Sequence, residues 1–597
     1  MLGARASVFW SPAEFVPFGT DLTLHTNTVL PSAVAASLSF WTGSVATGTN
    51  AVIALHLFLN FAMAYALAFR ITRNPGAAFL GGLAFGWSPY IASHLAGHFN
   101  LIAAWTLPLT VLALDNLLER GGWIRGTLFG VVLGGTIYVD YYYAVYASVL
   151  GLILLLARSS DISGSSRSRS HWQSVTLRAL IALLAVDLAF TIAIVVSGGT
   201  TLRLGGAVIS MRSARNPVAA AGLLVLIAGG VSLLLRCRVR IDHAALFSDA
   251  KRLAKALPAA IGVAAPVLVS ALRLWHHGGY VSQRYFWRSA PAGVDLATLV
   301  LGNPDGLLWG ALPSHLYERF GIDLVEQVAW IGPATLILCV VALTAGRREH
   351  RTSRWCIVGC VFMLWALGPH VVAFGHNPGI LLPATLVRYV PIVSNARIPA
   401  RAMVVVYLSL AMICALGFSA LRGRRQTGWA IAFLGFLVLD SVPRPTSAFP
   451  LDHPAIYDVL LRQSEPGAVC ELPIGLRDGF GETGIFDSRT LWYQTIHKRP
   501  MTGGFVARMR PGLIIAYNTA PVLGSLLRLS SGEPLAREPI PTPASASAVL
   551  HSQGIRFIVI NRDTSPPDLL HYVRLALPLR LLAADGRREL YMVQEGS

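Results

Sequence analysis

Two histidines, His94 and His98, stand four residues apart in the stretch "SPYIASHLAGHFN", with Asn100 just beyond them. On a helix that spacing puts both imidazoles on one face, where they could hold a metal ion or orient a phosphate. Two ligands do not make a metal site and the HExxH pattern is absent, so no metal is predicted, although a divalent ion is compatible with the pattern. The competing reading makes all three residues polar groups satisfied at a hairpin tip. Arg397 and Arg401 repeat the four-residue spacing and could clamp a phosphate or pyrophosphate. Anchoring of a phospholipid headgroup is the alternative for them. Glu326 reads as a group that caps or lines the apolar stretch after it. No Walker, dinucleotide-fold or haem motif is present, and no cofactor is indicated.

Apolar elements must position these residues. The 597-residue chain is 54% hydrophobic and only 13% charged, with a mean hydropathy of +0.57. That hydrophobicity lies in repeated runs of membrane length, so the chain reads as polytopic. The net charge of +18 sits in arginine clusters between apolar runs, which makes anionic membrane lipid the partner and argues against nucleic acid. The six cysteines, five of them in or beside apolar runs, suggest no disulfide framework.

The spans expected are 51–69, 76–93, 99–117, 123–138, 141–157, 176–196, 217–236, 256–272, 329–345, 355–369, 400–420 and 427–441. The pair around "SHLAGHFN" reads as a membrane hairpin with its tip at the water interface. Basic residues follow every odd-numbered span, from Arg70 and Arg73 to "LRGRRQ", which assigns those loops to the cytoplasm. The Ser/Arg-rich link after Arg158 reads as flexible. Loops 94–98, 137–141, 273–328 and 370–399 then face outside, although Arg203, Arg212 and Arg215 run against the trend. Both termini would also lie outside, which implies a span upstream: the sequence begins inside a longer gene product or is a natural truncation.

Residues 1–50 read as an outer-face loop with an interfacial helix near 30–43, and 51–441 as the transmembrane domain with its large outer loop at 273–328. Residues 442–452 form a proline-rich linker. The tail, 453–597, carries strand patterns at 468–474, 555–562 and 589–594 between helical ones, the signature of an extracytoplasmic α/β domain.

The segments "FGTDLTLHT", "GLAFGWSPYIASHLAGHFNLIAAWTLPL", "EQVAWIG" and "SNARIPARAM" give this chain a family likeness, as do "ELPIG", "MTGGFVARMRP" and "GIRFIVINR" in the tail. It resembles bacterial polytopic proteins of the GT-C glycosyltransferase superfamily, including the YfhO-like and related membrane proteins. The resemblance implies an all-α polytopic membrane domain of about twelve helices with an extracytoplasmic α/β domain, in the bacterial cytoplasmic membrane. It also implies transfer of a sugar from a polyprenyl-phosphate donor to an envelope glycan or glycolipid on the outer face.

Such a transfer needs a carboxylate to take the acceptor's proton and cations to hold the departing phosphate. The resemblance implies a catalytic aspartate just after a first membrane helix, a helix the given sequence is expected to lack. Asp21 and Asp140 are the outer-face acids left for the catalytic role; the alternative for Asp21 is a solvated or helix-capping loop aspartate, and for Asp140 an interfacial anchor residue or a cavity group. His94, His98, Asn100, Arg288, Glu326, Arg397 and Arg401 are the candidates for lipid-phosphate or substrate binding. Two other functions stay open: a carrier or flippase for a lipid-linked substrate, which would use the mid-span Asp187, and a noncatalytic envelope scaffold.

Overall fold

The structure, a computed structural model, describes residues 7–25, 28–164, 171–204, 207–211, 213–279, 291–345, 350–390, 393–421, 426–444, 451–535 and 539–595. It divides into two compact units. One holds residues 30–264 and 284–447; the other holds 1–29, 265–283 and 448–597.

Each apolar run of the first unit carries a helix, but the helices differ greatly in length. Among the described residues, Val45–Thr72, Tyr141–Arg158, Trp172–Ser197, Arg215–Arg236, Leu257–His276 and Pro399–Ala420 are long and apolar enough to cross a membrane. A seventh candidate, Pro511–Thr519 with Leu523–Ser530, is bent by 107°, and its Leu523, Leu526 and Leu527 are buried in the tail's core. The structure therefore supports a largely helical polytopic domain, with six or seven candidate spans among the described residues. Pro75–Gly86, Thr106–Arg120, Trp123–Thr136 and Pro333–Ala345 fall short of the roughly 20 residues that a straight span requires.

At the centre of this unit stands Met403–Ala420, buried on all sides. It packs in one apolar cluster with residues of Val45–Thr72, Pro75–Gly86, Pro333–Ala345 and His350–Ala366. The approach is close: a Cβ on Gly417 would lie 2.1 Å from the Leu338 carbonyl oxygen. Small residues serve this purpose between membrane helices. Trp172–Ser197 and Leu257–His276, by contrast, bury only 11% of their apolar stretches, a surface suited to lipid rather than water. Opposite charges pair at helix ends, Arg70 with Glu119 at 2.8 Å and Arg158 with Asp249 at 3.3 Å. The Ser/Arg link is in part a ribbon, because Ser160–Gly164 pairs antiparallel with Cys237–Ile241; residues 165–170 lie outside the described residues.

The second unit is built on a four-stranded sheet in the order Leu579–Ala584, Arg588–Val593, Ile555–Asn561, Ala468–Leu472, with only the last pair parallel. A three-stranded sheet lies beside it in sequence, with Gly475–Asp478 between Gly504–Val506 and Glu482–Gly484. The amino-terminal segment belongs to this unit. Its Phe15 N–H donates to Gly503 O at 2.9 Å and its Val16 N–H to Met501 O at 3.1 Å. Phe15 and Val16 are buried with Cys470, Leu472, Val506 and Tyr517, so residues 7–25 are part of a domain core and not a free loop.

Candidate functional site

Pro89 determines how the hairpin around His94 folds. Helix Pro75–Gly86 starts on an Asn74 cap with Pro75 in its first turn, and stops before Ser88, which Pro89 holds in extended backbone at φ −62° and ψ 151°. A short helix, Pro89–His94, follows, and regular helix resumes only at Thr106. The tip is open at Ala96 and Gly97, while the apolar segment just beyond it is buried: Leu101, Ile102, Ala103 and Ala104 are all at most 1% exposed. Non-helical backbone inside a helical membrane domain needs side-chain partners for its polar groups. Asn60 supplies one, donating to Ile102 O at 2.8 Å, and the Tyr143 hydroxyl donates to Leu101 O. Trp105 Nε1 donates to His56 Nδ1 at 3.1 Å.

His94 and His98 face one another with ring centroids 5.3 Å apart, as their spacing suggests. Glu326 lies between them, with Oε2 3.6 Å from His94 Nε2 and Oε1 3.5 Å from His98 Nε2. A turn around Asp323, whose carboxylate accepts from the Val325 and Glu326 N–H groups at 2.7 Å, presents this residue. Ser93 Oγ donates to Val325 O at 3.2 Å and docks the turn on the histidine segment. Arg401 closes the cluster: its Nε reaches the two Glu326 oxygens at 3.1 and 3.0 Å, its Nη2 donates to Oε1, and its guanidinium lies 4.8 Å over the Tyr142 ring.

Burial works to raise the Glu326 carboxyl, but the hydrogen bonds and positive charge of Arg401 outweigh it and hold the group well below the usual carboxylate range. His98 is lowered by burial, against the pull of Glu326, which keeps its ring neutral at pH 7. His98 is also the accessible member, at 32% side-chain exposure against 1% for His94. His94, His98 and Glu326 together have the donor types and proximity to hold a metal ion.

The other candidates are placed as follows. Asn100 donates to Asp140 Oδ2 at 2.7 Å, and Asp140 Oδ1 accepts from the Tyr143 N–H at 3.1 Å, capping Tyr141–Arg158. Burial raises the Asp140 carboxyl, and each of its oxygens accepts one of these hydrogen bonds. Asp21 is half-buried in the other unit, where its Oδ1 accepts from the Thr23 N–H at 2.8 Å. Arg397 and Arg401 do not share a helical face, because residues 396–398 are not helical and Arg401 sits in the 3-10 turn Pro399–Ala402. Arg288 lies outside the described residues. Sequence reasoning missed the link between Glu326 and the histidines, which no local pattern carries across more than two hundred residues. It also missed Asp295, fully buried and accepting from the Ala297, Phe374 and Gly375 N–H groups at 2.7–2.9 Å.

No known protein family and no curated protein matches the sequence. Solved structures do. Arabinofuranosyltransferase AftD from Mycobacteria matches 98% of this chain at 14% identity with a TM-score of 0.53, and this chain covers 37% of that one. An Archaeoglobus fulgidus oligosaccharyltransferase matches 99% of this chain and 68% of its own at 10% identity, with a TM-score of 0.37. ArnT from Cupriavidus metallidurans matches 96% of this chain and 88% of its own at 12% identity, with a TM-score of 0.28. The likeness to AftD shows a shared fold.

Proposed function

We propose that this chain transfers a sugar from a polyprenyl-phosphate donor to a cell-envelope glycan or glycolipid acceptor at the outer face of a bacterial cytoplasmic membrane. The observation that carries this reading is the Arg401–Glu326–His94–His98 cluster, assembled from separate segments at the start of the central helix. In transfer, the acceptor hydroxyl loses its proton and attacks the anomeric carbon, and the lipid phosphate leaves with the bonding electron pair. The cluster suits the last of these events, since a guanidinium forked by a carboxylate is a rigid, always-charged donor for phosphate oxygens. His98 and Arg397 would meet the phosphate beside it, while Asn100 and Asp140 fix the backbone beneath. Asp21 and Asp140 are the proposed candidates for taking the acceptor's proton. This reading needs the domains as the sequence divides them: a transmembrane domain over 51–441 and an extracytoplasmic one over 453–597.

The test is transfer by the purified chain in proteoliposomes with a synthetic polyprenyl-phosphate sugar. Arg401→Lys keeps the charge but loses the fork, and should lower kcat/KM by roughly tenfold to a hundredfold. Asp21→Asn should abolish transfer while the lipid still binds. Unchanged transfer in both variants would refute the assignment. The carrier reading keeps one supporting observation, the Asp187 Oδ2 atom, buried without a hydrogen-bond partner in a helix otherwise open to lipid. Vectorial movement of the lipid without chemistry would favour it.

A further inference from the structure

Hydrogen bonding alone leaves the His94–Glu326 contact unexplained. His94 Nδ1 lies 2.7 Å from the Tyr90 carbonyl oxygen. A carbonyl can only accept, so Nδ1 carries the proton and the neutral ring's Nε2 presents a bare lone pair. That atom is buried and has no hydrogen-bond partner, on a residue only 1% exposed. It faces Glu326 Oε2 at 3.6 Å, another acceptor, and His98 Nε2 faces the second Glu326 oxygen at 3.5 Å. These gaps exceed the roughly 2.7–3.2 Å of a hydrogen bond. They are close to the ~3.3 Å edge of a tetrahedron whose metal–ligand bonds are about 2.0–2.1 Å.

We propose that His94 Nε2, His98 Nε2 and one Glu326 oxygen bind a divalent cation of the zinc class, with a fourth position open. Two imidazoles and a carboxylate suit zinc, whereas magnesium and calcium take oxygen ligands. Outer support is in place: Tyr90 O fixes the His94 tautomer and Ser93 Oγ lies 3.3 Å from the same Nδ1. The three donor atoms now lie within 4.8 Å of one another and must draw together slightly on binding. His98, one-third exposed on a turn, has the room to move. Arg401 opposes the ion by its charge and competes for Glu326, which limits affinity and leaves the carboxylate monodentate to the metal.

The test is metal content of the full-length protein purified without chelator, together with the visible spectrum after cobalt replacement. The proposal expects about one zinc per chain, lost in His98→Ala and retained in His315→Ala, whose histidine lies outside the cluster. His98→Cys separates loss of a ligand from loss of fold: it should bind cobalt and add a thiolate-to-metal band. Equal zinc in wild type and His98→Ala would overturn the proposal. So would no zinc after dialysis against the free ion, in which case a protonated His94 paired to Glu326 accounts for the contact. The site stands independently of the transfer reaction: a chain that binds zinc but transfers nothing refutes the transferase reading and leaves the metal site intact.

Discussion

Glu326 and Glu471 are both buried carboxylates, and their neighbours push them in opposite directions. Glu326 has Arg401 and stays ionised. Burial drives Glu471, in the tail, up to about 8, opposed only in part by the Tyr457 hydroxyl and by Arg588. The protonated form of Glu471 is thus favoured by folding. Its contribution is fully present below the ordinary value of 4.5 and lost as pH rises through about 8. Glu14, raised to about 7 by burial, acts in the same sense. His497, lowered by burial to about 4, acts oppositely, since its contribution is present above 6.5 and lost as pH falls through 4. Glu471→Gln should therefore flatten the fall in melting temperature between about pH 5 and 8, followed by intrinsic fluorescence of the purified chain. Parallel curves for variant and wild type would count against the assignment. At this scale the sequence was half legible. The spacing of His94 and His98 foretold their shared face, but nothing in "VDYYY" marked Asp140 as the cap of Tyr141–Arg158. The spacing of Arg397 and Arg401 misled, because Pro399 interrupts the helix on which it depends. The partner of Arg401 comes from tertiary packing, which leaves no local pattern.

Elements were more legible than their lengths. Apolar runs located the long helices of the membrane unit, since burial or lipid contact demands them whatever their ends do, but not the polar helices His243–Ala254 and Ala311–Arg319. They did not show which helices are complete spans. Pro89 was visible in the sequence, yet a break at Ser88 and a continuous helix share the same hydropathy, and only the side chains of Asn60, Tyr143 and Trp105 make the irregular segment affordable. The central helix Met403–Ala420 looked like any other span until its neighbours enclosed it. Gly417→Ala tests that enclosure directly. The added methyl meets the Leu338 carbonyl, and overpacking of this kind costs about 1–3 kcal/mol. The variant should lower the melting temperature in detergent, whereas Gly428→Ala, with open space around it, should not. Equal losses would mean that the helices adjust freely.

For the whole molecule, composition pointed to a polytopic membrane protein, and the described residues include six helices long and apolar enough to cross a membrane. What composition hid was chain order, because the tail's domain recruits residues from the opposite end of the sequence. The charge bias predicts sidedness, which remains open to measurement. In a background with the native cysteines replaced, an impermeant maleimide should label Thr564→Cys in intact cells and Ser248→Cys only after permeabilisation. Both positions are exposed. The reverse pattern would invert the topology and remove the outer-face reading of the cluster.

The amino-terminal segment in the tail's core also sets a timetable. Phe15 and Val16 leave the ribosome long before Cys470, Val506 and Tyr517, the residues that bury them. At about 5–20 residues per second, the interval is roughly half a minute to two minutes. Throughout that time two large apolar surfaces wait unpaired while the helices between them enter the membrane. Completion of the tail's core therefore has to wait until the helices between its two parts have been translated.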